Sequence, residues 1–362
     1  MPRARALPKS CWTQAKLAIH RYSRPKLDVR ILALSEFNDA FKVLIHNEMM
    51  RLLPLILLLF TFQTRANVHT DSSEELRDLV QKMVDSQASD PRPSHFAPVD
   101  QGPSFDIPVT YNAKVKWWIN CFQTTNRKWF KLWMERAGAY LPNMQHTLRS
   151  RGMPQDLAFV AMIESGFSPH AVSSADAVGY WQFIGPTATR YGLQMSWWLD
   201  ERRDFSKSTT AAARYLGDLY RQFKTWYLTA AAYNMGEGKL QRLIDRAGGT
   251  RNYWELSHHR DFPQETRDYI PKLLAAMFIS KAPKLYGFAG LKFHALNEYE
   301  YFYVPGGTDL SHLAHYIGVP SESLATLNPE LIKGIIPSSV KGHRIRIPKG
   351  LSARVSNYLR ND

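Results

Sequence analysis

From Tyr111 to about Gly290 the apolar residues recur at three- and four-residue spacings, the period of helices that bury one face. Val115, Trp118, Ile119 and Phe122 mark one such face. Tyr215, Leu216, Leu219, Tyr220 and Phe223 mark a second, and Ile270, Leu273, Leu274 and Met277 a third. Breaks are predicted at Gly138, Gly152-Met153-Pro154, Gly185-Pro186, Gly248-Gly249 and Phe262-Pro263, with no convincing run of strand alternation between them. The pattern predicts a mainly α domain over 111–290. From Glu300 the chain changes character. Phe302-Tyr303-Val304 reads as a strand, Gly306-Gly307 as a turn, and Leu310 to Ile317 and Leu324 to Leu327 as two short helices. His343 to Pro348 closes as a strand, Ile345 and Ile347 alternating with Arg344 and Arg346. The prediction is a small βααβ module over 300–350.

The first 110 residues read differently. Met50-Arg51, an apolar run from Leu52 to Phe62 and the end Thr64-Arg65-Ala66 have the order of a secretory signal peptide. The run has 11 residues, well short of the ~20 that cross a bilayer as a helix. A buried helix is the alternative. Residues 1–66 are therefore expected to be a non-mature leader with its signal from about Met50, and Met49 or Met50 the translation start. Residues 67–84 allow one amphipathic helix on Leu76, Leu79, Val80 and Met83. Pro91, Pro93, Pro98, Pro103 and Pro108 make the stretch to residue 110 an extended linker.

Composition changes the picture in two places. The chain of 362 residues carries +14, but residues 1–66 hold 11 Lys and Arg against 4 Asp and Glu, so a chain cleaved after Ala66 carries +7. That charge is spread out and no helix-turn-helix, zinc-finger or RNP pattern accompanies it, so nucleic acid is not the expected partner. Two cysteines cannot supply a disulfide framework or a four-cysteine zinc site. His258-His259 lacks a third ligand at regular spacing; no metal or other cofactor is expected. Nine of ten tryptophans lie between Trp117 and Trp254, which fits either a large core or a cleft that stacks sugar rings.

Pro154-Gln155-Asp156 is a helix start, and Leu157, Val160, Ala161 and Glu164 then fall at i, i+3, i+4 and i+7. Glu164 is thereby placed on the apolar face, just before a stop at Gly166. A carboxyl in that position either finds a cation or keeps its proton with a raised pKa. A carboxylic acid still protonated near neutral pH is what general-acid cleavage of a glycosidic bond requires.

Four blocks follow in order: Glu164-Ser165-Gly166-Phe167, Ala171 with Ser173, Gly179-Tyr180-Trp181-Gln182-Phe183, and Ala232-Tyr233-Asn234-Met235-Gly236. Over roughly 111–290 the chain resembles the soluble-lytic-transglycosylase-type catalytic domain, glycoside hydrolase family 23, related to goose-type lysozyme. The resemblance implies a lysozyme-like helical fold with Glu164 as single catalytic acid/base. It implies substrate contacts for Ser173, Gln182, Tyr233 and Asn234, and for Tyr269 a part in holding the Glu. Plain core packing is the competing reading for Trp181 and Tyr191. The tail resembles a LysM module, a βααβ unit that grips N-acetylglucosamine chains, on Val304-x-x-Gly307-x-x-Leu310, Leu327-Asn328-Pro329 and Ile345-x-Ile347-Pro348. Thr308-Asp309 stands in swapped order there, so sugar binding and pure docking both stay open.

The resemblance implies a murein lytic transglycosylase cutting the bond between N-acetylmuramic acid and N-acetylglucosamine to leave 1,6-anhydromuramic ends. The expected partner is the peptidoglycan glycan strand. A usual glycosidase needs two carboxylates; Asp176, Glu237 and Glu265 are available, but none sits in a second constellation. A hydrolysing muramidase and a non-catalytic peptidoglycan-binding protein are the alternatives. The expected location is periplasmic after export, with outer-membrane association left open. No lipidation cysteine follows the apolar run.

Overall fold

The computed structural model describes residues 104–295 and 298–361; the leader at 1–66 and the helix expected at 67–84 lie outside them. Helix α1 (Ala113–Gln123) starts where the Asn112 side chain accepts the Val115 N–H, an N-cap, and buries Val115, Trp118, Ile119 and Phe122. Helix α2 (Arg127–Arg149) buries Phe130, Trp133 and Met134 and continues through Gly138, where the pattern predicted a break. Beyond Pro154 a 3-10 turn (Gln155–Leu157) runs into α3 (Ala158–Ser165), slightly later than the predicted start at Pro154. Gly166 ends α3 in the left-handed conformation at φ 59, and a Cβ there would lie 2.1 Å from the Trp133 ring. Both the turn and the close approach therefore require glycine.

Helices α4 (Gly185–Arg190), α5 (Phe205–Phe223), α6 (Trp226–Met235), α7 (Glu237–Arg246), α8 (Tyr253–Leu256) and α9 (Gln264–Lys281) follow, with a 3-10 turn at Glu201–Arg203 before α5. Helix α9 is the central element. It packs against α1, α3 and α6 and buries Ile270, Leu273, Leu274 and Met277, the predicted face. Pro271 lies inside it. A helical proline frees the carbonyl four residues back, here Arg267. The Tyr253 hydroxyl bonds the Arg267 and Thr266 carbonyls, at 3.0 and 2.9 Å. The irregularity is thus satisfied within one turn of Tyr269. Among the described residues no helix is long and apolar enough to cross a membrane.

The C-terminal region has β1 (Tyr299–Pro305), α10 (Leu310–Ile317), α11 (Ser321–Leu327), β2 (Gly342–Pro348) and a further helix, α12 (Ser352–Asn361), which the sequence pattern did not announce. The strands pair antiparallel, with Phe302 opposite Ile345 and Tyr301 opposite Arg346. Val304, Leu313, Ile317, Leu324, Ile345, Ile347 and Val355 form its core, and Trp198 and Leu199 from the helical domain belong to the same cluster. Backbone bonds complete the join: Asp200 N–H to Glu330 O at 2.8 Å and Ile332 N–H to Trp198 O at 2.8 Å.

Alternation along β2 predicts Arg346 as solvent-facing, yet it is only 2% exposed. Its guanidinium donates to Asp204, to Glu330 Oε1 at 2.9 Å and to Leu327 O at 3.1 Å. The outer face of the hairpin is covered by the start of α5, and two carboxylates compensate the buried charge. Asp204 also caps α5 by accepting from the N–H groups of Ser206 and Lys207. The small module is therefore built into the helical domain rather than strung behind it.

Candidate active site

Glu164 stands one residue from the end of α3, half-buried, where the negative end of the helix already disfavours an anion. Tyr269, one turn before the centre of α9, donates its hydroxyl to Glu164 Oε1 at 2.5 Å. Lys272, one turn further along the same face, donates to Ile163 O at 2.8 Å. Burial pushes the Glu164 carboxyl up to about 7; the Tyr269 hydrogen bond and the Lys272 charge pull it back down, and the Glu265 charge adds to the rise. Lys272 itself is held below the ordinary lysine value by burial, with the Glu164 charge opposing. The result is a carboxyl near its midpoint at neutral pH, able to give a proton and then take one.

Of the other candidates, Tyr233 senses the charge of this acid, and the rest are bonded into the neighbouring loop and helix ends. Tyr233 donates its hydroxyl to Trp181 O at 2.7 Å, and the Glu164 charge contributes to raising its pKa well above the ordinary value, after burial. Asn234 accepts from the Thr266 hydroxyl at 2.7 Å and donates to Glu265 Oε1 at 3.4 Å, joining the end of α6 to the start of α9. Gln182 and Ser173 organise the loop at 171–182. Gln182 takes φ 50 and its side-chain amide donates to Ala171 O at 3.1 Å and Gly179 O at 2.9 Å. Ser173 Oγ accepts from the N–H groups of Ala175 and Ala177, so its own O–H remains available to donate. Ser165 Oγ ties this loop to α3 through Tyr180 O at 2.7 Å. Trp181 and Tyr191 are core: the Trp181 ring N–H meets Thr209 Oγ1 at 3.0 Å, and the Tyr191 hydroxyl meets Asp218 at 2.9 Å.

Sequence reasoning missed Lys272 and the approach of Glu265. The Lys272 signal was present, since it stands three residues after Tyr269 on one helix and so shares its face. The loop is also fixed from outside. Arg202, held by both oxygens of Asp200 at 2.8 Å, donates to Asp176 O and Phe183 O.

The acid of this arrangement, Glu164, lies within a region that matches a known family, while Tyr269 and Lys272 stand beyond its end. Residues 142–255 match the family model for the transglycosylase SLT domain. Residues 299–361 match the LysM-like domain of lytic transglycosylase MltD. With the two in this order, the chain is MltD-like in organisation. It is 33% identical to membrane-bound lytic murein transglycosylase D of Escherichia coli over 218 residues, 59% of this chain and 47% of that protein. It is 30% identical to membrane-bound lytic murein transglycosylase C of Serratia proteamaculans over 124 residues, 30% of this chain and 35% of that one. The chain thus spans about half the length, or less, of these relatives. The solved lytic transglycosylase Slt of Pseudomonas aeruginosa aligns over 42% of this chain and 25% of its own at 21% identity with a TM-score of 0.33.

Proposed function

We propose that the protein is a peptidoglycan lytic transglycosylase of the cell envelope in which Glu164 alone acts as acid and base. The observation that carries this reading is the Glu164 carboxyl, raised to about 7 and bonded by Tyr269 at 2.5 Å. Protonated Glu164 gives its proton to the oxygen between N-acetylmuramic acid and N-acetylglucosamine, and the C1–O bond breaks toward an oxocarbenium-like state. The N-acetylglucosamine leaves with that proton as a free hydroxyl. The Glu164 carboxylate then takes the proton of the muramic 6-hydroxyl as its oxygen bonds C1. A 1,6-anhydro ring forms, Glu164 is protonated again, and no water enters. A nucleophile already attached to the reacting sugar avoids the entropy of bringing in a second molecule. Ser173, Gln182, Tyr233 and Asn234 are read as the walls that hold the sugars, Gln182 and Ser173 by fixing the loop as well as by contact.

In this reading Tyr269 and Lys272 matter once Glu164 is an anion, because both stabilise the carboxylate that must abstract the second proton. The peptidoglycan strand is the partner of both domains. Glu265 is the carboxylate on which a hydrolytic route would have to rely; it is exposed, a poor place to shelter an attacking water. Digestion of purified sacculi followed by mass spectrometry tests the reading. Muropeptides lighter by one water, formed by the unsubstituted protein and absent with Glu164→Gln, are expected. Reducing ends without the mass loss would replace it with a muramidase.

A further inference from the structure

Immediately after the acid, the segment Gly166 to His170 is flanked by two guanidinium groups with too little negative charge to match. Arg136, on α2 between Trp133 and Tyr140, reaches Gly166 O at 3.4 Å. Arg203 Nη1 reaches Pro169 O at 3.4 Å and His170 Nδ1 at 3.3 Å. These are long bonds for charged donors. Asp200 is the carboxylate in the vicinity, but it holds Arg202 through both oxygens at 2.8 Å and meets Arg203 only at 3.8 Å. Arg136 has no acidic partner, and Arg203 Nε is enclosed without a hydrogen-bond partner, among the described residues.

His170 adds to the same balance. An arginine N–H can only donate, so Nδ1 facing Arg203 accepts, and the ring proton belongs on Nε2. Burial and the charges of Arg203 and Arg136 hold the ring below its ordinary pKa, so it is neutral. The niche therefore offers donors from three side chains and excess positive charge, half-buried on the arginines and open at His170. Half-buried cations that lack an anion are costly to maintain, and a guanidinium pair is matched in shape to an oxyanion.

We propose that Arg136, Arg203 and His170 form a subsite for a carboxylate of the peptide stem borne by the muramic acid next to the scissile bond. This inference deepens the transglycosylase reading and rests on it for the identity of the substrate. The stem is attached to the muramic acid whose glycosidic oxygen Glu164 protonates, and the niche begins two residues beyond Glu164. Peptide carboxylates thus need no further carrier to reach it. The site would make the protein prefer strands that still carry peptides.

The test is binding, read by co-sedimentation of the full chain in the Glu164→Gln background, so that substrate is not consumed. Peptide-bearing sacculi are compared with strands stripped of peptides by an amidase, and inorganic phosphate is titrated as a competitor. The expected result is a preference for peptide-bearing material that falls roughly ten-fold in Arg136→Gln and in Arg203→Gln, the scale of one charge-assisted hydrogen bond. Arg203→Lys should recover part of it. Equal affinity for both materials before substitution, or equal loss on both after it, would overturn the proposal. So would displacement from stripped strands by phosphate as strong as from peptide-bearing ones, which would assign the niche to phosphate. Failure of the catalytic reading is scored separately, by the absence of anhydro products from the unsubstituted protein.

Discussion

Replacing Glu164 by glutamine removes a carboxyl whose proton the fold holds more tightly than the unfolded chain does. The folded protein raises this pKa from 4.5 to about 7, so the folded state binds the proton more tightly than the unfolded chain. Stability contributed by that proton is complete below about pH 4.5 and is lost as pH rises toward 7. At about pH 8 the ionised group destabilises the fold by about 3 kcal/mol, and at about pH 5 by about 1 kcal/mol. Glutamine keeps an oxygen acceptor for the Tyr269 hydroxyl but cannot ionise. Glu164→Gln should therefore stabilise the protein by about 3 kcal/mol at about pH 8 and by about 1 kcal/mol or less at about pH 5. Urea unfolding of the two proteins at both pH values reads the difference directly. An increment that is equal at both, or larger in acid, would refute the argument that burial holds this proton in place.

The groups around the acid make separable predictions. Tyr269→Phe removes a bond that lowers the Glu164 pKa, so the alkaline limb of the pH–rate profile should move upward while the maximal rate falls; a limb that does not move would sink the assignment. Lys272→Met should shift the limb the same way and Glu265→Gln the opposite way, a contrast that general loosening of the fold would not produce. Arg346→Leu leaves Asp204 and Glu330 buried without their cation and should cost about 3–5 kcal/mol by urea unfolding; a loss under about 1 kcal/mol would mean the two carboxylates find other partners. Trp198→Ala should cost about 3–5 kcal/mol in the same assay, although Trp198 lies in the helical domain and the core it fills is mostly that of the C-terminal module.

Much of this fold is local in origin, and those parts were legible. The faces of α1 and α9 follow from 3.6-residue periodicity, and the end of α3 follows from a glycine that alone tolerates φ 59 against Trp133. The two C-terminal strands and their connecting helices were legible from alternation and turn residues. Glu164 stood out because its spacing put a carboxyl among core positions. What escaped depends on contacts distant in sequence. Arg346 reads as an outward-facing strand residue, and its burial is made tolerable by Glu330 and by Asp204, the latter 142 residues away. Nothing local to Trp198 indicates that it completes another module's core. Gln182 reads as a sugar contact, but the geometry first gives its amide a backbone duty in holding the loop. Arg136, His170 and Arg203 lie in three separate segments, and their shortage of negative charge is visible only once the chain has brought them together.

The central claim is that one carboxyl suffices because the substrate supplies its own nucleophile. Digestion of sacculi in oxygen-labelled water, with mass spectrometry of the released muropeptides, tests it most directly. The expected products are 1,6-anhydro muropeptides that carry no label, formed by the unsubstituted protein and absent with Glu164→Gln. Label at the muramic C1 would contradict it, because solvent water would then be the nucleophile and a second carboxylate, with Glu265 the first to examine, would be needed to activate it.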